Sequence, residues 1–272
     1  MKYYVTTDTH GYCRILKEAL ARAGFFSDRV EHRLIILGDL FDRGNEENEL
    51  QKFILQLMEK DEVILIRGNH EDLFCELVNE DHGEAYEHHI HNGTYKTALW
   101  LTGYDLQMAL NMREEFCDAA KRTPFYKLII PSMLDYFETD HYIFTHGWIP
   151  CFGDRKAGYR YDADWRNACP SDWKIARWIN GMDAALTCTE GKTVICGHWH
   201  CSYGHSKLEG KGSEFDENAD FSPYYGTGII AIDACTAVSH RVNVIILEDN
   251  LPAAAKDKEA FMEMHSGSRS PW

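Results

Sequence analysis

Leu34-Ile35-Ile36-Leu37 followed by Gly38-Asp39-Leu40-Phe41-Asp42-Arg43-Gly44 is the stretch from which the rest of the chain can be read. The four apolar residues have the pattern of a strand buried on both faces, which places the polar block at that strand's C-terminal end. Ligands of open α/β sheets bind at this edge, and a glycine on each side lets backbone and side chains crowd one small ligand. Asp39 is the candidate for a carboxylate shared by two metal ions. Asp42 is then a positioning carboxylate, and Arg43 a phosphate clamp whose planar fork matches two phosphate oxygens. Taken alone, the same residues also describe an acidic turn with Asp42 capping a helix. The neighbouring blocks decide between the two.

On the N-terminal side, residues 3–7 read as a strand running into Asp8-Thr9-His10-Gly11, and residues 14–23 have the apolar spacing of a helix. With Asp8 and His10 two apart, an extended backbone would turn both side chains to one face, as a chelating pair requires. On the C-terminal side, residues 45–60 predict an amphipathic helix with Leu50, Phe53, Ile54, Leu57 and Met58 on one face. A third strand over residues 62–66 then delivers Arg67-Gly68-Asn69-His70-Glu71-Asp72. Three strands and two helices in alternation, each strand ending in a polar cluster, imply parallel βαβ units. Asn69 offers a neutral amide oxygen to a metal, and His70 can serve as ligand or general acid.

Two more blocks follow the same rule. Thr145-His146-Gly147-Trp148 comes after Tyr142-Ile143-Phe144, and Gly197-His198-Trp199-His200 comes after Val194-Ile195-Cys196. In an extended stretch His198 and His200 share a face, and neutral imidazole is a frequent ligand of first-row transition metals. Cys196 and Cys201 flank these histidines, but no second cysteine pair accompanies them, which weighs against a structural zinc site.

The 272 residues, 44% hydrophobic and 26% charged, suffice for one large domain with an ample core. A formal net charge of -15 opposes extended DNA or RNA binding driven by counterion release. Nine cysteines, odd in number and without a CxxC pair, do not form a disulfide framework. With the first strand beginning near Met1 and no long apolar run, the expectation is a cytoplasmic protein that does not enter a membrane. Residues 1–250 are expected to form a single domain and residues 251–272 a tail frayed at its end. Residues 75–130 read as a cap-like helical insertion over the strand ends, where substrate selection usually resides. Its run Glu87-His88-His89-Ile90-His91 reads as a solvated or cap-helix face. Residues 128–136 read as a further strand or short helix, residues 209–222 as a surface loop, and residues 228–233 and 241–247 as two apolar strands, with Val244-Ile245-Ile246-Leu247 in the core.

The set DTHG, GDLFDRG, RGNHED, THGW and GHWH, in this order and each after a strand, resembles the calcineurin-like metallophosphoesterases. The GDxxDRG and GNHE blocks look like the phosphoprotein phosphatase branch. Within it the chain looks closest to the short bacterial and phage-type Ser/Thr protein phosphatases and the symmetrical diadenosine tetraphosphate hydrolases. Ile232-Asp233-Ala234-Cys235 with residues 241–247 is similar to the closing hairpin of those proteins. The likeness spans roughly residues 1–248 and is weak over residues 75–130.

The resemblance implies an α/β fold, a four-layer αββα sandwich of two mixed sheets with a helical cap. It implies that Asp8, His10 and Asp39 hold a first metal, with Asp39 bridging, and that Asn69, His146 and His198 complete a second site. His200 matches a histidine that reaches the first metal in the wider superfamily. His70, oriented by Asp42, matches the proton donor, and Arg43 matches a phosphate-binding arginine. Trp165-Arg166 offers Arg166 as the second such arginine. Trp148 and Ala234-Cys235 depart from the family pattern, and both bear on leaving-group preference. The implied activity is hydrolysis of phosphomonoesters by in-line attack of a metal-bound hydroxide. It would use two divalent or trivalent ions, Mn²⁺ first, Fe or Zn²⁺ next, on a phosphorylated protein (Ser/Thr or dual specificity) or a small phosphoester. Cleavage of a dinucleoside polyphosphate or another small phosphodiester is the second enzymatic reading, and a non-catalytic metal-stabilised scaffold is the reading outside enzymes.

Overall fold

The computed structural model describes residues 1–79 and 86–251. Its first part alternates β1 (Lys2–Thr6), α1 (Cys13–Ala23), β2 (His32–Ile36), α2 (Glu47–Glu59) and β3 (Val63–Leu65), and the three strands pair in parallel. Helix α1 buries Cys13, Leu16, Ala19 and Leu20 and ends at Gly24, whose φ of 91° supplies the left-handed turn of a helix C-terminus. Helix α2 buries Leu50, Phe53, Ile54 and Leu57, the face its periodicity required. Helix α3 (Asn69–Asn79) begins inside the third polar block.

Four helices then cover the edge of this unit: α4 (Tyr86–Asn92), α5 (Thr94–Thr102), α6 (Leu106–Asn111) and α7 (Arg113–Lys121). Tyr95, Ala98, Ala109, Phe116 and Ala120 from these helices share one core with Leu50, Phe53 and Phe74. Of the histidine run, His88 and His91 are exposed as a solvated face demands, but His89 is buried. Residues 125–132 wind as a helical turn, and Leu134 makes a single parallel bridge to Ile66.

The second part adds β4 (Phe137–Glu138), β5 (Tyr142–Phe144), β6 (Phe152–Asp154), β7 (Gly158–Arg160), β8 (Thr193–Cys196), β9 (Tyr224–Gly226), β10 (Ile229–Ala231) and β11 (Ile245–Glu248). One sheet runs β11-β1-β2-β3, the other β4-β5-β8-β10-β9, and β6-β7 is a separate ribbon. Both large sheets mix parallel and antiparallel pairs. Successive strand residues explain the layering, because side chains alternate faces. Tyr3, Val5, Ile35 and Leu37 meet Phe144, Ile195 and Ile232 between the sheets, while Tyr4, Leu34 and Ile36 face the helices. The far face of the second sheet, with Ile143, Val194 and Ala231, packs on Trp148, Trp165 and Trp173. The result is the expected αββα order.

A buried ion pair joins the two parts. Arg177 donates from Nη1 to Asp72 at 2.7 Å and from Nη2 to Asp135, and Asp72 also pairs with Arg67 at 2.8 Å. The closing hairpin is not formed. Strand β10 lies inside the second sheet, and β11 is the antiparallel edge strand of the first, next to β1. The chain between them crosses from one sheet to the other. Being an edge strand, β11 leaves Ile246 44% exposed, so the run at residues 244–247 is only half in the core. The tail from residue 252 onward lies outside the described residues. Among the described residues, no helix is long and apolar enough to cross a membrane.

Candidate metal centre

The polar blocks after β1, β2, β3 and β8 end around one cleft of about 230 Å³, lined by Asp8, His10, Asp39, Asn69, His70 and His198 among others, and the block after β5 brings the fully buried His146 to within 3.3 Å of Asp39. Sequence periodicity expected extended backbone at Asp8 and His10 and at His198. The structure instead gives Asp8 a φ of 49°, His10 46°, Asp39 53°, Asp42 95° and His198 65°. Such left-handed conformations cost about 1–3 kcal/mol each for residues with a Cβ, and concentrate where a surrounding framework holds side chains at a functional site. Sharp turns, rather than a shared strand face, aim these groups inward.

Asp39 is central. Its Oδ1 lies 3.3 Å from His146 Nε2 and accepts a hydrogen bond from the His70 backbone N–H at 3.0 Å. Its Oδ2 lies 3.8 Å from His10 Nε2 and 3.7 Å from His70 Nε2. The approach is close enough that a Cβ at Gly68 would stand 2.2 Å from Asp39 Oδ1, which is why glycine occupies that position. Two groups could hold a metal ion: His10, Asp39 and His70, and Asp39, His146 and His198. Asp8 closes the first, 3.8 Å from His10 Nε2, its other oxygen receiving Thr7 Oγ1 at 2.5 Å and the His198 N–H at 3.0 Å. Asn69 closes the second, its Oδ1 2.8 Å from His146 Nε2.

The fit to cations rests on how each imidazole is anchored. His10 donates from Nδ1 to the Phe41 carbonyl at 2.7 Å, and His146 to the Leu37 carbonyl at 2.5 Å. Anchoring Nδ1 turns Nε2 toward the carboxylates, the usual arrangement behind metal-binding histidines. His198 completes the pattern. Its ring lies against the Trp178 backbone, and its buried Nε2 has no hydrogen-bond partner among the described residues. Buried polar atoms are nearly always satisfied, so an orphaned imidazole nitrogen beside Asp39 and His146 fits a missing cation.

Protonation follows the same contacts. Burial lowers His10 and His198, each to about 3. Burial also works to lower His146, but the Asp39 charge outweighs it and raises His146 to about 10. Burial works to raise Asp39, yet His146 and His70 hold it well below the usual carboxylate range. Positive charge is what this carboxylate requires in its surroundings.

His70 differs from the others in its anchor. Its Nδ1 is 2.7 Å from Asp42 Oδ2, and Asp42 is itself fixed by Thr94 Oγ1 at 2.9 Å and Thr97 Oγ1 at 2.6 Å. Both threonines come from α5, in the insertion. The turn before it packs so tightly that a Cβ on Gly93, at φ 88°, would fall 1.6 Å from the Asp42 carbonyl oxygen. Burial acts to lower His70, but Asp39 and Asp42 bring it up to about 9. Arg43 is exposed and lines the cleft.

Two expected residues are placed otherwise. Arg166 is turned into an ion pair with Glu138, bonded at 2.8 and 2.6 Å, and with Glu190 at 3.1 Å, and stacks over Trp165. It does not line the cleft; Glu138 at the end of β4 and Glu190 in the loop before β8 hold it elsewhere. His200 reaches the cleft wall, but its Nε2 is held by Glu214 Oε1 at 3.0 Å and it belongs to neither metal-capable group among the described residues. The acidic loop at residues 209–222, read as mere surface, supplies that partner.

Several contributors were not marked by the sequence. Glu71 accepts the backbone N–H groups of Asp39 at 3.1 Å, Leu40 at 3.0 Å and Gly68 at 2.8 Å, tying the loops after β2 and β3 together. Burial, then the Asp39 charge, raises its carboxyl to about 7. Asp233, Trp178, Phe215 and Cys235 line the cleft. Asp233 is raised well above the usual carboxylate range by burial and by Asp8. Only the position of Glu71 directly after His70 could have drawn notice, since loops rich in glycine need an acceptor for their N–H groups. Cys13 and Cys201 are buried, as small fillers would be.

The family model for calcineurin-like phosphoesterases matches residues 1–202. Among solved structures, a mutant of a cold-active protein tyrosine phosphatase superposes with a TM-score of 0.51 at 16% identity, covering 92% of this chain and 76% of that one. A protein serine/threonine phosphatase from Saccharomyces cerevisiae gives 0.44 at 14% identity, over 93% and 82% of the two chains. A metallophosphoesterase from Sphaerobacter thermophilus gives 0.45 at 13%, over 98% and 94%. At 16% identity the first of these speaks to the fold alone. No curated protein matches the chain.

Proposed function

The chain belongs to the calcineurin-like phosphoesterases, and from that premise we propose that it is a dinuclear metal-dependent phosphomonoesterase of the phosphoprotein phosphatase type. Asp8, His10 and Asp39 would hold one cation and Asp39, Asn69, His146 and His198 the other. A donor set of imidazole nitrogens and carboxylate or amide oxygens favours Mn²⁺, with Fe or Zn²⁺ as further candidates. The observation that carries this reading is Asp39, within 3.8 Å of the Nε2 atoms of His10, His70 and His146. Bound there, cations supply Lewis acidity and bring water toward its deprotonated form at neutral pH.

The chain's own residues do the rest. Arg43 offers its guanidinium fork to two non-bridging oxygens as charge builds on the phosphoryl group. His70 presents Nε2, and with Asp42 fixing Nδ1 as the hydrogen-bond donor, a proton on Nε2 can pass to the departing oxygen. General acid catalysis of this kind contributes about 10² to 10⁴. Water attacks directly, so no phosphoenzyme forms. Cys235 is the one thiol at the cleft wall among the described residues, and burial, then Asp233, pushes it up to about 11, which leaves it a poor nucleophile.

The first substrates to examine are phosphorylated proteins. With added Mn²⁺ the full chain is expected to hydrolyse phosphoseryl or phosphotyrosyl peptides, and Asp39→Asn to lose both turnover and bound metal. Turnover of diadenosine tetraphosphate alone would move the activity to dinucleoside polyphosphates. Two retained cations without turnover of any phosphoester would leave a metal-stabilised scaffold.

A further inference from the structure

The cleft is lined mostly by polar side chains, with two large aromatic ones among them. Phe215, 57% exposed, and Trp178, 43% exposed, both belong to its lining. Large exposed aromatics are ordinary when they hang freely. These two are held.

Phe215 follows Glu214, the residue through which the loop is fastened. Glu214 Oε1 meets His200 Nε2 at 3.0 Å, its Oε2 meets Lys207 Nζ at 3.3 Å, and its carbonyl accepts Ser202 Oγ at 2.7 Å. The Phe215 ring rests against the His200 imidazole, centroids 4.5 Å apart and tilted by 43°. Trp178 follows Arg177, which is locked in its buried ion pair with Asp72 and Asp135. Its indole meets the His198 ring edge-on, 5.7 Å away at 84°. Both rings therefore keep fixed positions beside a small polar cavity. At about 230 Å³ the cleft is smaller than sites that enclose drug-sized ligands, which run to roughly 300–1,000 Å³. It can enclose a phosphoryl group, while the leaving group extends along exposed lining residues, these two rings among them.

Resting on the phosphomonoesterase reading above, we propose that Phe215 and Trp178 form a subsite for an aromatic leaving group, so that the preferred substrate is an aryl phosphomonoester such as a phosphotyrosyl side chain. An aryl ester puts its ring one oxygen away from phosphorus, matching a polar cleft with two exposed aromatic side chains in its lining. In this arrangement His200 and Glu214 act as positioning residues, presenting Phe215.

The test is calorimetry on the full chain with Mn²⁺, comparing phenylphosphonate with n-butylphosphonate, neither of which can be hydrolysed. The wild type is expected to bind the phenyl compound about tenfold more tightly, near the upper end of what an aromatic pair supplies. Phe215→Ala should remove most of that preference and leave butylphosphonate affinity within about twofold, and Glu214→Ala should remove part of it. With peptides, Phe215→Ala should raise KM for phosphotyrosine about tenfold, keep kcat within about twofold, and leave phosphoserine kinetics unchanged. Equal binding of the two phosphonates, or equal losses on both in Phe215→Ala, overturns the subsite while the phosphomonoesterase reading stands. A Phe215-dependent gain for adenosine monophosphate without one for phenylphosphonate also overturns it, since the rings would then read a nucleobase. If neither phosphonate binds and no phosphomonoester turns over, the phosphomonoesterase reading has failed and takes the subsite with it.

Discussion

The loops after β3 and after β8 each deliver a histidine to the same cleft, and the two imidazoles end in opposite states. His70 rests on a carboxylate, Asp42, and rises to about 9 against the lowering effect of burial. His198 rests against the Trp178 backbone, and burial takes it down to about 3. The residue type is the same. What differs is the charge around each ring: Asp39 first and then Asp42 raise His70, whereas burial and the neighbouring His146 lower His198.

The contrast can be broken most severely at His198. His198→Ala should remove one cation per chain by elemental analysis and reduce turnover to that of chelated protein. Two cations retained by this variant would mean that the orphaned Nε2 has another purpose. At His70 the expected loss is smaller and selective. His70→Gln should keep both cations and slow an alkyl phosphoserine peptide by about 10² to 10⁴, with a much smaller loss on a nitrophenyl ester, whose leaving group needs little protonation. Equal losses on the two substrates would erase the distinction between the histidines.

A buried acid without such a partner sharpens the same point. Glu47 is fully buried in α2, and neither carboxylate oxygen accepts a hydrogen bond from another residue among those described. Burial raises it from 4.5 to about 7, with Lys96 opposing the rise and Asp42 adding to it. The folded chain thus binds this proton more tightly than the unfolded chain. The contribution is neutral below pH 4.5, becomes a cost that grows between pH 4.5 and about 7, and stays constant above that. Glu47→Gln should therefore add up to about 3 kcal/mol of stability at pH 8 and almost nothing at pH 4, read from thermal melts at the two pH values. Equal shifts at both would show that Glu47 is not carrying a buried charge.

What could be read in the residues and what could not divide along physical lines. Asp8, His10, Asp39, Asn69, His70, His146 and His198 stand within a few residues of an apolar strand, and strand ends in a layered α/β fold converge, so order along the chain was enough to bring them together. The manner of convergence was not legible, because a left-handed φ at Asp8 or Asp42 is a demand of the tertiary framework and leaves no periodic trace. The partners of His200 and Arg166 were not legible for another reason. Each has a carboxylate partner, Glu214 or Glu138, that lies 14 or 28 residues away, and a short motif carries no information about such competition. β11 was read as core because four apolar residues in a row fit a buried strand and an edge strand alike.

The seating of the α4–α5 turn on Asp42 has a practical corollary for anyone who would exchange the helical segment for that of another phosphoesterase. Such a graft would carry away the two hydroxyls that steady Asp42 behind His70, so a chimera built to accept new substrates is expected also to acquire a different pH profile. Thr94 and Thr97, and the glycine that lets them approach, have to travel with any transplant.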